Sequence, residues 1–192
     1  MIRPVGSDEL KPLFVYDPDQ HHRLMREAES LLSVVISSQA AGNAVMMGGG
    51  YFTPLKGFMN VADAMGACEK MRLTDGSFFP VPVMCLLEEV AAIRGASRIA
   101  LRDPNMDGHP ILAIMEVETI EEVSDEQMAF MTEKVYRTSD SEHPGVATFN
   151  SQGRFAVSGA IQVLHFSYFQ DDFPDTFRTA VEIRHEIAER GW

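Results

Sequence analysis

The sequence predicts an α+β domain with a closed or nearly closed sheet. Short runs of β-branched and aromatic residues recur along all 192 residues. Three or four stretches with helical spacing stand between them, and no strand–helix–strand rhythm links them. No internal repeat or low-complexity linker divides the text.

Residues 1–16 read as an extended arm, because Pro4, Gly6 and Pro12 discourage helix. Asp17-Pro18-Asp19-Gln20 then starts a helix, with an acid to cap it, proline at the first helical position and Gln three residues after the cap. Leu24, Ala28 and Leu31 follow at helical spacing. Val34-Val35-Ile36 has the make-up of a short buried strand, and 39–47 that of one or two helical turns ending at glycines. Asn60 caps a further helix, with Val61, Met65 and Cys68 expected on its inner face and Asp63 near the positive end of its dipole. Asp75-Gly76 marks a turn. Residues 78–87 are strand-like, but Pro80 and Pro82 suit an edge or irregular strand.

Residues 98–102 and 110–118 form a hairpin around the turn-forming 103–108. Ser124-Asp125-Glu126-Gln127 is a capping box, followed by Met128, Met131 and Val135 on one helical face. Residues 149–166 are again β in character, with Gly153 and Gly159 as bends or bulges. After Pro174-Asp175, Phe177, Val181, Arg184 and Ile187 recur at helical intervals, and Gly191 offers a stop.

One stretch organises the rest. Gly48-Gly49-Gly50 is costly to order, and the large apolar residues Phe52, Leu55, Phe58 and Met59 follow at once. A tight turn that docks these side chains on a formed layer is the expected use. The glycines lack the Gly-Lys-Ser/Thr and the third spaced glycine of phosphate-binding loops, so the sequence does not support nucleotide binding here.

Composition narrows the function. A content of 45% apolar and 23% charged residues is that of a soluble globular protein. Neither a membrane span nor a signal peptide is read, and a cytoplasmic location is expected. Cys68 and Cys85 form neither a disulfide framework nor a metal motif. A net charge of -12, with scattered Lys and Arg, argues against nucleic acid as a partner.

The chemistry-bearing residues give little. His21 and His22 point about 100° apart on a helix, and no histidine has a metal-binding partner at the right spacing. His109 and His143 precede proline in turns, His165 falls in a strand, and His185 lies on the last helix. His143-Pro144-Gly145-Val146 is the best polar candidate, read chiefly as a structural turn. No catalytic, cofactor-binding or metal-binding residue is assigned.

Read together, several segments resemble the ATP sulfurylase (sulfate adenylyltransferase) family. Its Gly-Phe-Ser-Pro-Leu-x-Gly-Phe-Met stretch stands here as Gly50-Tyr51-Phe52-Thr53-Pro54-Leu55-Lys56-Gly57-Phe58-Met59, with Thr53 for Ser and an extra aromatic. Arg72-Leu73-Thr74-Asp75-Gly76, Phe79-Pro80-Val81-Pro82-Val83, Ala100-Leu101-Arg102-Asp103, His143-Pro144-Gly145-Val146 and Val157-Ser158-Gly159-Ala160-Ile161 follow in register, and 184–192 resembles the helix that ends in Gly-Trp. The likeness covers essentially the whole chain and is nearest to the single-function bacterial enzymes.

The resemblance implies a PUA-like β pseudobarrel with peripheral helices over 1–173. It also implies a lead-in helix over 174–192, directed at an α/β nucleotide-binding domain absent from this sequence. It further implies transfer of an adenylyl group from ATP to sulfate, reversibly and with magnesium, in a full-length enzyme that forms a homo-oligomer. The family's catalytic motifs lie in that second domain and have no matching positions here, so the chain alone is expected to be inactive. Phe52, Pro54, Leu55, Phe58 and Met59 are the candidate interdomain packing residues, with packing inside the first domain as the alternative. A freestanding PUA-like binding module and an oligomerisation domain are the other readings.

Overall fold

In the computed structural model, which describes residues 3, 4 and 6–192, a curled mixed sheet of seven strands is wrapped by helices. This is the α+β class that the sequence predicts, with the sheet curled into a half-barrel. The arm bridges to the sheet at Phe14, opposite Val163, and leads into α1 (Pro18–Ala28). Asp17 caps that helix by accepting from the Gln20 amide. β1 (Ser33–Val35) and α2 (Ser38–Gly48) come next. After the central loop lie β2 (Gly57–Phe58), α3 (Val61–Lys70) and β3 (Leu86–Leu87).

β4 (Arg98–Arg102) and β5 (Ile111–Glu116) form the expected hairpin, and β6 (Thr119–Glu122) continues the path. α4 (Asp125–Tyr136) starts at the expected capping box, with both reciprocal bonds of Ser124 and Gln127 made. α5 (Pro144–Asn150), the long β7 (Phe155–Val163), the short α6 (Phe169–Asp172) and α7 (Ala180–Glu189) complete the chain.

β7 is the spine. Along one edge it pairs antiparallel with β5 and β6, and along the other with β2 and β3. β4 joins β5, and β1 joins β4 in parallel. The sheet is buried on both faces, which accounts for the unbroken apolar run of β5. Leu101, Leu112 and Met115 point into the main core. Ala100, Ile111 and Ile114 pack behind the sheet against Leu24 and Ala28 of α1. Arg98 ties α1 to the sheet, because its guanidinium reaches Glu27 on the helix and Glu116 on β5. Its Nε lies 2.6 Å from Glu116 Oε1, near enough for charge pairing but not aligned as a hydrogen bond.

Several local expectations are corrected. Val34-Val35-Ile36 is an edge rather than a buried strand, and Val35 is 46% exposed. The sequence pattern cannot tell the two apart, since an edge strand with one covered face uses the same residues. On α3 the innermost residues are Val61, Ala64 and Ala67, with Met65 and Cys68 at the margin. On α4, Thr132 is buried beside Met128 and Met131, and Val135 is not. His143 caps α5 rather than forming a simple turn, so helix extends through Phe149 and the strand begins at Phe155. His165 lies just past β7, and the last helix begins at Ala180, capped by Thr179.

Candidate functional site

The three glycines form a junction of α2, the arm and α7. Gly48 sits against β7, where a Cβ would lie 2.9 Å from Val163 Cγ1, and only a bare backbone fits. Gly50 adopts φ +84°. All three carbonyls are engaged: Phe14 N–H donates to Gly48 (3.3 Å), Ala180 N–H to Gly49 (2.9 Å) and the Thr53 hydroxyl to Gly50 (2.9 Å). The amides are spent as well, because Gly49 N–H donates to Val45 and Gly50 N–H to Met47. The loop thus sits at the C-terminal, electronegative end of α2, with no free amide cradle for a phosphate.

The apolar residues after the glycines divide in two. Leu55, Phe58 and Met59 are buried in the main core of this domain. Phe52 is half-buried and meets Phe79 edge-on with ring centroids 5.8 Å apart, and Pro54 is half-buried beside Gly6. Tyr51 turns outward, and its hydroxyl donates to the Arg178 carbonyl at 2.8 Å.

That hydrogen bond and the Gly49–Ala180 bond fix the start of α7. Beyond Ala180 the helix buries no residue fully, and Val181, Ile183 and Trp192 remain exposed, Trp192 at 81%. Between the arm, Tyr51 and α7 runs an apolar groove of about 590 Å³, with Leu10, Ile183, Ile187 and Trp192 among its walls. It joins residues near both ends of the sequence, so no local pattern announces it. This groove and the adjoining Phe52–Pro54 surface are the candidate docking face.

The start of α7 carries a pH-sensitive element. Thr179 and Glu182 close a capping box, with Thr179 N–H donating to Glu182 Oε2 at 2.7 Å and Glu182 N–H to Thr179 Oγ1 at 3.2 Å. These bonds, the backbone one foremost, hold the Glu182 carboxyl below its ordinary value of 4.5. A carboxylate lowered in the folded state stabilises that state above its unfolded value, and the contribution disappears as pH falls through the folded value. Amide protection in 180–189, taken against the intrinsic exchange rate at each pH, is therefore expected to fall below about pH 4.5, and Glu182→Gln should remove that acid response. Thr179→Ala should cost α7 about 1 kcal/mol at neutral pH. A protection profile unmoved by acid or by either substitution would contradict this.

Four of the six histidines have hydrogen-bond or ion-pair partners, and both thiols have unreactive settings. The His21 ring bonds the Leu164 carbonyl (2.7 Å), the His109 ring bonds the Asp103 carbonyl (3.0 Å), and His143 Nδ1 accepts from Gly145 and Val146 N–H. His185 pairs with Glu189. Burial pushes the Cys68 thiol up to about 11 and Cys85 to about 12, so neither is a thiolate near neutrality. Among the described residues no group of three or more His, Cys, Asp or Glu is placed to hold a metal ion. Among the described residues, neither the glycine loop, whose amides are spent, nor any such group of side chains offers a fit for ATP or magnesium. Among the described residues no helix is long and apolar enough to cross a membrane.

A curled mixed sheet on a long central strand, flanked by helices, is the architecture of a PUA-like domain. Residues 2–166 match the PUA-like domain family, and the chain belongs to it. The sulfate adenylyltransferase of Allochromatium vinosum is 73% identical over 192 residues, covering 100% of this chain and 48% of the relative. That of the Riftia pachyptila sulfur-oxidizing endosymbiont is 72% identical, covering 100% of this chain and 44% of the relative. The chain thus spans about half the length of these curated relatives. The solved hexameric APS kinase from Thiobacillus denitrificans superposes with a TM-score of 0.71 at 25% identity, over 100% of this chain and 32% of that one.

Proposed function

We propose that this chain is the N-terminal scaffold domain of a sulfate adenylyltransferase, the enzyme that joins sulfate to the adenylyl group of ATP. The observation that carries this reading is the 73% identity held across all 192 residues to a relative about twice as long. The chain's own site supports a partition of labour. Its glycine loop is consumed in backbone bonding, four of its six histidines have structural partners, and its thiols are neutral. ATP, magnesium and sulfate belong to a second domain, which docks on the groove and on the Phe52–Pro54 surface. Residues 1–173 are the PUA-like unit, and 174–192 lead toward the second domain. The joined protein works as a cytoplasmic homo-oligomer, for which the hexameric solved neighbour is a precedent.

The test joins this chain to the remaining half of the Allochromatium vinosum relative and follows ATP formed from adenosine 5′-phosphosulfate and pyrophosphate. The fusion should turn over, and the 192-residue chain alone should not. Turnover by the isolated chain, or heat released when ATP is titrated into it, would refute the reading.

A further inference from the structure

The curl of the sheet stops short of closing, and the strands that border the gap are β1 and β3. β1 bonds to β4 through alternate residues: Ala100 N–H donates to the Leu32 carbonyl at 2.9 Å and Ile36 N–H to Arg102 at 3.2 Å. With Ser33 opposite Ala100 and Val35 opposite Arg102, this parallel ladder turns the N–H and C=O of Ser33 and Val35 away from β4. Across the gap, Val157 N–H donates to the Cys85 carbonyl at 2.9 Å, and Leu86 stands opposite Ala156. The antiparallel alternation therefore turns the backbone groups of Leu86 away from β7. Among the described residues, the N–H and C=O of Val35 and of Leu86 have no hydrogen-bond partner.

Val35 and Leu86 line the same cleft, of about 660 Å³. Unpaired backbone groups on two strands that line one cleft, with apolar side chains beside them, meet the requirements of an added strand. Leu86 is almost wholly buried, so its unpaired backbone is costly until something bonds to it. The cleft also carries a charge. Glu88 and Glu89 stand exposed on its wall, and no Lys or Arg lines it among the described residues. A second copy of this chain would bring the same acidic wall and a net charge of -12. The complementary occupant is basic.

We infer that this seam takes an extended segment of a partner protein in which apolar and basic residues alternate, entering as a strand between β1 and β3. Successive side chains of a strand point to opposite faces. One set fills the apolar floor beside Val35 and Leu87, and the other reaches Glu88 and Glu89. Backbone pairing supplies affinity, and the glutamates select for positive charge.

The probe is a labelled peptide, Thr-Lys-Val-Lys-Val-Thr, titrated into the 192-residue chain and read by fluorescence polarisation. Saturable binding is expected, with roughly tenfold or greater loss for the peptide bearing Glu for Lys and for the one with N-methylated valines. Amide exchange at Val35 and Leu86 should slow in the complex. Val35→Pro deletes an outward N–H without touching the β4 ladder, and it should weaken binding by roughly tenfold with the thermal midpoint unchanged. If that variant unfolds, the double substitution E88K/E89K decides, and the preference should reverse toward the Glu peptide. Absence of saturable binding, equal binding of the N-methylated peptide, unchanged exchange at both amides, or indifference to the charge reversal would each overturn the inference.

Discussion

Alanine in place of Gly57 or Gly159 is expected to prevent the sheet from closing on its spine. A Cβ at Gly57 would lie 1.9 Å from the Gly159 carbonyl oxygen, and one at Gly159 would lie 1.8 Å from the Glu116 carbonyl oxygen. Gly159 also holds φ +145°, which an L side chain rarely adopts. Both collisions are with backbone, so no side-chain rotation relieves them. β2 must leave β7 in the first variant, and the turn between β5 and β6 must move in the second. Each substitution should cost more than about 4 kcal/mol, a large share of the roughly 5–15 kcal/mol that holds a typical domain together. Urea unfolding followed by circular dichroism provides the check, and a variant within about 1 kcal/mol of the parent would contradict this close approach.

The second large effect concerns the central loop. Leu55→Ala and Phe58→Ala should destabilise this chain by itself, by about 2–5 and about 3–5 kcal/mol respectively. Phe58 is 4% exposed and lies in the main core without help from any other body. Tyr51→Ala should instead leave the core intact and loosen α7, because its ring lies outside and its hydroxyl reaches Arg178. Melting the three variants as isolated chains separates intradomain packing from docking. Parent-like stability for Leu55→Ala and Phe58→Ala would mean that their burial here contributes nothing, leaving docking as their sole use.

Where local chemistry decides structure, the sequence was readable. Asp17 and Ser124 start their helices as capping residues should, and the β4–β5 hairpin follows from its turn-forming loop. α5 escaped because its cap is a histidine, whose Nδ1 does the work usually given to Ser, Thr, Asp or Asn. β2 and β3 have two residues each and owe their existence to β7, a partner about a hundred or about seventy residues away along the chain. The candidate docking face was half legible. The glycine–aromatic loop stands out in the text, but whether Phe58 faces inward depends on the path of β7. The groove unites Leu10 with Ile187, a pairing that only the folded chain makes.

The way α7 is moored has a mechanical consequence. Ten residues of helix extend about 15 Å, and the bonds at Gly49 and Tyr51 grip only the near end. Tilting that grip by about 10° would swing the far end by roughly 2.5 Å, by the same arithmetic of helical rise. The triglycine junction therefore sets the direction of α7 from its near end, and a small change of angle at the Gly49 carbonyl corresponds to a larger displacement at Trp192.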